Sequence, residues 1–189
     1  MSIERKKLWP ILLIAAVLGI TALQLHAQGR LWICACGRVD FWSGDIWSSD
    51  NSQHIFDPYS FTHLLHGVAF FWLLNWLLKN MPLNWRLLIA LVIESVWEVV
   101  ENAPFIINRY REGALALGYE GDTVVNSISD ILLCAVGFLL VHYIGVKRSV
   151  IFFVAVELFL ILWIRDSLIL NIIMLIYPID ALGAWQAGG

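Results

Sequence analysis

Runs of apolar residues long enough to cross a bilayer constrain this chain more than any other feature. An α-helix needs about 20 mostly apolar residues to span the hydrocarbon core. Such runs cover about Leu8–Gln28, Phe61–Leu78, Leu87–Ile107 and Thr123–Ile144. The last apolar stretch, Ser149–Tyr177, is too long for one upright helix and too short for two, and Arg165-Asp166 interrupts it. We read it as a span over 149–166 followed by a short helix lying in the interface or dipping back. One long tilted helix is the alternative. The expected fold is therefore an all-α, polytopic helical membrane protein. It has about five spans, at 8–28, 61–78, 87–107, 123–144 and 149–166, an outer loop at 29–60, and one membrane domain over 1–189.

Composition agrees. The chain is 60% hydrophobic and only 14% charged, where a soluble domain carries about 25% charge. Mean hydropathy is +0.75. A net charge of −3 without any basic tract gives nucleic acid no purchase. Three cysteines are too few for a disulfide framework. The start "MSIERKKLWPILLIAAVLGITALQLHAQG" could be a signal peptide. Leu25 stands where a cleavage site near Ala27 needs a small residue, so an uncleaved first span is expected.

Orientation follows from the basic residues. Arg5, Lys6 and Lys7 precede the first span, Lys79 and Arg86 flank the second connection, and Lys147-Arg148 fill the fourth. These would lie in the cytoplasm, with the N-terminus. The other side then holds only arginines: Arg30, Arg38, Arg109, Arg111 and Arg165. It also holds the longest loop, about Gly29–Ser60. Most of the ten tryptophans fall in this loop or at span ends, where indoles anchor membrane proteins.

Ionisable residues inside the spans carry the functional signal. In "ESVWEVVENAPFIINRYR", Glu94, Glu98 and Glu101 are spaced i, i+4, i+7 and share one helix face. That face should point inward, because a carboxylate facing lipid costs about 3 kcal/mol. "DPYSFTHLLHG" places His63 and His66 one turn apart at the outer end of the second span. "GDTVVNSISD" brings Asp122, Asn126 and Asp130 to the outer end of the fourth. Alternating topology levels all three sets.

Three readings fit such a convergence. His63, His66, Glu98 and Asp130 could hold a divalent metal such as zinc, with a coordination position left for water. A histidine polarised by a buried glutamate could act as acid or base without metal. A hydrogen-bonded network could simply lock helices together. Glu101, Asp122 and Asn126 would orient the first four residues. Arg109, Arg111 and Arg165 would grip an anionic head, so the partner expected is a membrane lipid or lipid-linked amphiphile. "CAC" at Cys34–Cys36 is an incomplete metal site at most, and Cys134 a small packing residue. Glu157 lies mid-span and should face inward.

These segments also carry a resemblance. "WICACG", "NSQHIFDPYSFTHLLHG", "ESVWEVVENAPFIINRYR", "GDTVVNSISDILLCAVGF" and "IRDSLILNIIMLIYPIDALGAWQAG" together resemble an uncharacterised family of bacterial multi-pass inner-membrane proteins, a domain of unknown function. The resemblance covers about residues 30–188. The His-Gly, Glu-x-x-Glu and Gly-Asp-Thr…Asp elements are more loosely similar to VanZ-like membrane proteins. The resemblance implies an inner-membrane location and supplies no reaction. The leading expectation is a metal-assisted hydrolase or transferase acting on a lipid or lipid-linked substrate. A proton-coupled transporter with a Glu94–Glu98–Glu101 relay, and a non-catalytic membrane assembly partner, are the alternatives.

Overall fold

The structure is a computed structural model that describes residues 3–112 and 119–188; side chains of residues 3–8, Arg5, Lys6 and Lys7 among them, lie outside the described residues. Eight helices and no strand are described: α1 (Ile3–Ala27), α2 (Ser60–Leu77), α3 (Leu83–Glu101), α4 (Pro104–Glu112), α5 (Val124–Ile144), α6 (Val146–Ile164), α7 (Leu168–Ile176) and α8 (Asp180–Gln186). The all-α expectation is met.

By length and composition, α1 (over Trp9–Ala27) and α5 are apolar enough to cross a membrane, and a third crossing results if the bent pair α6–α7 counts as one. Five do not stand out. The reason is the polar content of two helices expected to span. His63, His66 and Asn75 dilute α2, and Arg86 with three glutamates dilutes α3. His63, Arg86, Glu94 and Glu98 are all buried.

One expected span is interrupted, and a second break falls at Arg165-Asp166, where one was expected. The run over 87–107 breaks at Asn102–Ala103, where α3 gives way to α4. Proline at the first position of α4 cannot continue the preceding helix, and its ring disfavours helical backbone in the residue before it. At the other break, Arg165 takes a left-handed conformation (φ 56°) and α7 turns 71° away from α6. One long tilted helix is thus ruled out. A short α8 follows α7, an element additional to the single helix expected.

Glu157 explains how the second break is held. Its carboxylate accepts from the backbone N–H groups of Leu168 (3.0 Å) and Ile169 (3.3 Å), and Ser167 Oγ accepts from Leu170 N–H (3.3 Å). A buried carboxyl group thus sits on the positive end of α7 and satisfies donors that a helix start leaves open. The loop between α1 and α2 does the same for α5: Leu31 and Trp32 carbonyls accept from Val124 and Val125 N–H at 2.8 and 3.2 Å.

The core is a tight pairing of α2 with α5. A Cβ on Gly67 would lie 1.9 Å from the Cys134 carbonyl oxygen, and one on Gly137 1.9 Å from that of Leu64. Backbones approach this closely only where both helices place a glycine at the crossing. Below and beside it pack Val68, Phe71, Leu74, Ala90, Phe138 and Val141. Gly67→Ala is expected to lower the thermal unfolding midpoint in detergent, at a cost of about 1–3 kcal/mol. Gly19→Ala on α1, whose added Cβ meets nothing within 4 Å, is expected to leave it unchanged.

Candidate functional site

The α2–α5 crossing sets the height of the polar groups on both helices. One turn above Gly67 lies His63, and across from it Asp130; α3 brings its glutamate stripe against the same point. Glu94 and Glu98 have no exposed surface. Glu94 accepts from both imidazoles, at 2.7 Å from His63 Nδ1 and 3.0 Å from His66 Nδ1 through either oxygen. An ionised carboxylate only accepts, so both Nδ1 atoms donate and both Nε2 atoms are left for other work. Glu98 Oε1 lies 3.3 Å from His63 Nδ1, and Asp130 Oδ2 4.0 Å from His63 Nε2.

His63, His66 and Asp130 line a cleft of about 820 Å³, measured out to its open mouth. Asp57, Glu101, Asp122, Asp130 and Asp166 line it with both histidines and Asn126. Ile46, Trp97, Leu168, Ile172 and Leu175 supply the cleft with apolar lining. No arginine or lysine lines it among the described residues.

The acids fall into two kinds. Some are fully engaged. Asp57 accepts from Tyr59 N–H (2.7 Å) and Ser52 N–H (3.0 Å), and Asp130 from the Ser60 hydroxyl (2.7 Å). Asp122 accepts from Tyr119 Oη (2.8 Å) and Asn102 Nδ2 (2.9 Å), while its own N–H donates to Asn102 Oδ1 (2.7 Å). That reciprocal amide bond ties the end of α3 to the start of α5. Burial pushes the Asp122 carboxyl above its ordinary range against these donors. Burial, then the neighbouring charge of Asp122, does the same to Asp57.

The other kind is unpartnered. Both oxygens of Glu98 and Oε2 of Glu101 are buried with no hydrogen-bond partner, while Glu101 Oε1 accepts from Tyr110 Oη (2.9 Å). Buried acceptors left this way are costly. One atom each of His63, Glu98 and Glu101 lie within 4.8 Å of one another, as do those of His63, His66 and Glu94. Either set could hold a metal ion.

The expected metal set therefore changes membership. Asp130 belongs to neither compact group, and His66 is bound to Glu94 instead of approaching Glu98. Glu94, expected to matter only in a proton relay, is the hub of the histidine pair. Asn126 lines the cleft, its Nδ2 without a partner. None of the three arginines is among the residues that line the cavity. Arg109 Nε donates to the Leu175 carbonyl (3.1 Å), Arg111 Nε to that of Tyr119 (2.5 Å), and Arg165 Nη1 to that of Trp185 (3.0 Å). They clamp the peripheral helices and loop.

Asp57, Tyr110, Tyr119, Asp166 and Asn171 were not anticipated as lining residues. For Asp57 a signal existed. "DPYS" just before an apolar run is a helix-start pattern, and Asp57 Oδ1 does accept from Ser60 N–H (3.3 Å). The others come from segments whose return to the cavity depends on the breaks at Asn102 and Arg165.

An all-helical chain with membrane-length apolar helices and a buried acidic, histidine-bearing cavity is thus defined. Residues 25–188 match the family model described as protein of unknown function DUF2585. The chain is 46% identical to a UPF0314 protein of Rhizobium meliloti over 188 residues, covering 98% of this chain and 93% of that one. It is 49% identical to a UPF0314 protein of Sinorhizobium fredii (92% and 89% covered) and 44% identical to one of Sphingopyxis alaskensis (94% and 95% covered). The chain belongs to this uncharacterised bacterial family. No solved structure matches it. These matches and the apolar helices point to a membrane-associated bacterial protein. The VanZ-like similarity is not shown by them.

Two substitutions separate the roles. Glu94→Ala leaves one buried and one half-buried imidazole without an acceptor, and is expected to cost about 3–5 kcal/mol. Glu98→Gln replaces a buried carboxyl whose oxygens accept no hydrogen bond. In chelator-treated protein it is expected to leave the unfolding midpoint unchanged or raise it, by up to about 4 kcal/mol of stability. Thermal unfolding in detergent reads both.

Proposed function

We propose that this protein is a multi-pass inner-membrane enzyme that binds a divalent metal ion and performs hydrolysis or group transfer on a lipid or lipid-linked substrate. The three unpartnered buried carboxylate oxygens of Glu98 and Glu101, beside His63, carry this reading. Seven carboxyl groups, Asp57, Glu94, Glu98, Glu101, Asp122, Asp130 and Asp166, surround two imidazoles with no arginine or lysine among the described lining residues. Such an excess of buried negative charge calls for protons or a cation. Two carboxylates and one imidazole suit zinc, manganese or iron and leave positions open for water and substrate.

In this reading Glu98, Glu101 and His63 hold the metal, which supplies a polarised water or a charge clamp on the substrate. His66 acts as acid and base through Nε2, with Glu94 on Nδ1 fixing its orientation and raising its basicity. Asp130, Asp122 and Asn126 position substrate or water from the α5 side. The apolar lining from Trp97 and α7 takes a hydrocarbon segment. Helices α2 and α3 cross the membrane with their polar faces turned inward, so that with α1, α5 and α6 the chain makes five crossings. The N-terminus is cytoplasmic and the cavity opens outward.

The transporter alternative needs a polar path past Glu94. Leu91, Ile131 and Cys134 form an apolar layer one turn deeper, which supports a closed pocket over a channel.

Elemental analysis of gently purified protein tests the metal. About one equivalent of a transition metal per chain is expected in wild type, falling severalfold in His63→Ala and Glu98→Ala. Metal-free wild-type protein, or equal metal in all three, would overturn the assignment.

A further inference from the structure

The loop between α1 and α2 holds a second group of reactive side chains, separate from the acidic cavity. Cys34 and Cys36 are joined by a disulfide. Cys34 is buried, Cys36 is exposed, and both sulfur-bearing residues line an open cleft with Trp47, Asp50 and Glu120. The Cys36 backbone N–H donates to Cys34 Sγ at 3.1 Å. One imidazole nitrogen of His54, one oxygen of Asp50 and both sulfurs lie within 4.8 Å of one another.

His54 decides the chemistry of this group. It is 2% exposed. Its Nδ1 accepts from Asp40 N–H at 3.2 Å, so the ring proton of the neutral imidazole sits on Nε2. That Nε2 is buried and has no hydrogen-bond partner. The carboxylates facing it, Asp40 (3.7 Å) and Asp50 (3.8 Å), are beyond bonding distance. Arg38 bridges the two, at 3.6 and 3.3 Å, and offsets their charge. A metal-binding histidine donates from its second nitrogen and offers a lone pair from the first. His54 has the reverse arrangement, so a zinc site is disfavoured. A buried N–H without an acceptor beside a disulfide is what a departing thiolate would use.

We infer that Cys34–Cys36 is a redox-active pair that exchanges with external dithiols, with Cys36 as the attacked sulfur and Cys34 as the leaving thiolate. In the first step a thiolate of the dithiol attacks Cys36 Sγ, the Cys34–Cys36 bond breaks, and its electron pair leaves on Cys34 Sγ. The N–H groups of Cys36 and His54 receive that charge. The second thiol of the reductant, deprotonated, then attacks its own sulfur in the mixed disulfide and releases Cys36. Two electrons and two protons pass from the dithiol to the pair, which ends as two thiols. A better-stabilised leaving thiolate speeds such exchange. His54 is a positioning residue here, acting through the sulfur.

The test uses full-length protein in detergent with Cys134→Ala, so that only this pair reports. Equilibration in mixtures of oxidised and reduced dithiothreitol, followed by maleimide trapping after denaturation, should give one two-electron titration, the same from either direction. His54→Ala should slow reduction by dithiothreitol about tenfold at neutral pH. If that variant does not fold, the single-cysteine variants serve. The Cys34 thiol of Cys36→Ser should begin to react with iodoacetamide at lower pH than the Cys36 thiol of Cys34→Ser. The inference is overturned by a pair that does not re-oxidise, by an unchanged reduction rate in His54→Ala, by equal pH profiles of the two thiols, or by zinc retained stoichiometrically on the reduced pair. None of these results bears on the metal assigned to Glu98 and Glu101.

Discussion

One buried carboxylate, that of Glu94, accepts from two imidazoles one turn apart on another helix, and the bundle is arranged to permit it. Histidines on α2 can reach α3 at that depth only if α2 is held at a fixed height. The glycine contacts of Gly67 and Gly137 supply the height, since any larger residue would push α2 off α5. In an apolar surrounding an unpaired ion is too costly to keep. Each polar group introduced on α2 or α3 therefore needs a partner from a neighbouring helix. Asp57, Asp122 and Asp130, outside those two helices, are met by hydroxyl, amide and backbone donors. Glu98 accepts no hydrogen bond, its contact being His63 Nδ1 at 3.3 Å, and this contrast sets it apart.

The periphery completes the cavity. Helices α4 and α7 are both products of breaks in apolar runs, and both approach the same opening. Tyr110 from α4 lies 2.9 Å from Glu101 Oε1 and 3.2 Å from Asn171 Oδ1 on α7. Gln186 on α8 donates to Asp166 at 3.1 Å. A second layer of polar contacts thus joins α4, α7 and α8 to the glutamate stripe. The same helices bring Leu168, Ile172 and Leu175 to face the acids. The cleft thus has both acidic and apolar lining.

How much was legible in the sequence depended on whether a feature was local. Helix spacing put Glu94, Glu98 and Glu101 on one face, and alternating topology levelled them with His63, His66 and Asp130; the structure brings these groups together. Their pairing was not legible. Whether a histidine meets Glu94 or Glu98 depends on a rise of one helical turn, about 6 Å, set by a glycine crossing between helices distant in sequence. The contacts of the arginines were not legible either. Arg109 and Arg111 follow Glu101, but Pro104 redirects the chain between them, and both side chains end on backbone carbonyls. Glu157 was recognised as inward-facing, but its partner is a helix start that exists only because α7 turns at Arg165. The pair at Cys34 and Cys36 was visible, whereas His54 and Asp50 joined it through loop folding that no periodicity encodes.

X-ray absorption spectroscopy at the edge of the bound metal tests the central claim most directly. Protein loaded with one equivalent of zinc should show a first shell of oxygen and nitrogen only, with the outer-shell pattern of at least one imidazole. Glu98→Gln should lose that signal. A shell containing sulfur would move the metal to the cysteine loop, and a fully aquated ion would mean that the buried oxygens of Glu98 and Glu101 hold protons instead. Either result would contradict the account.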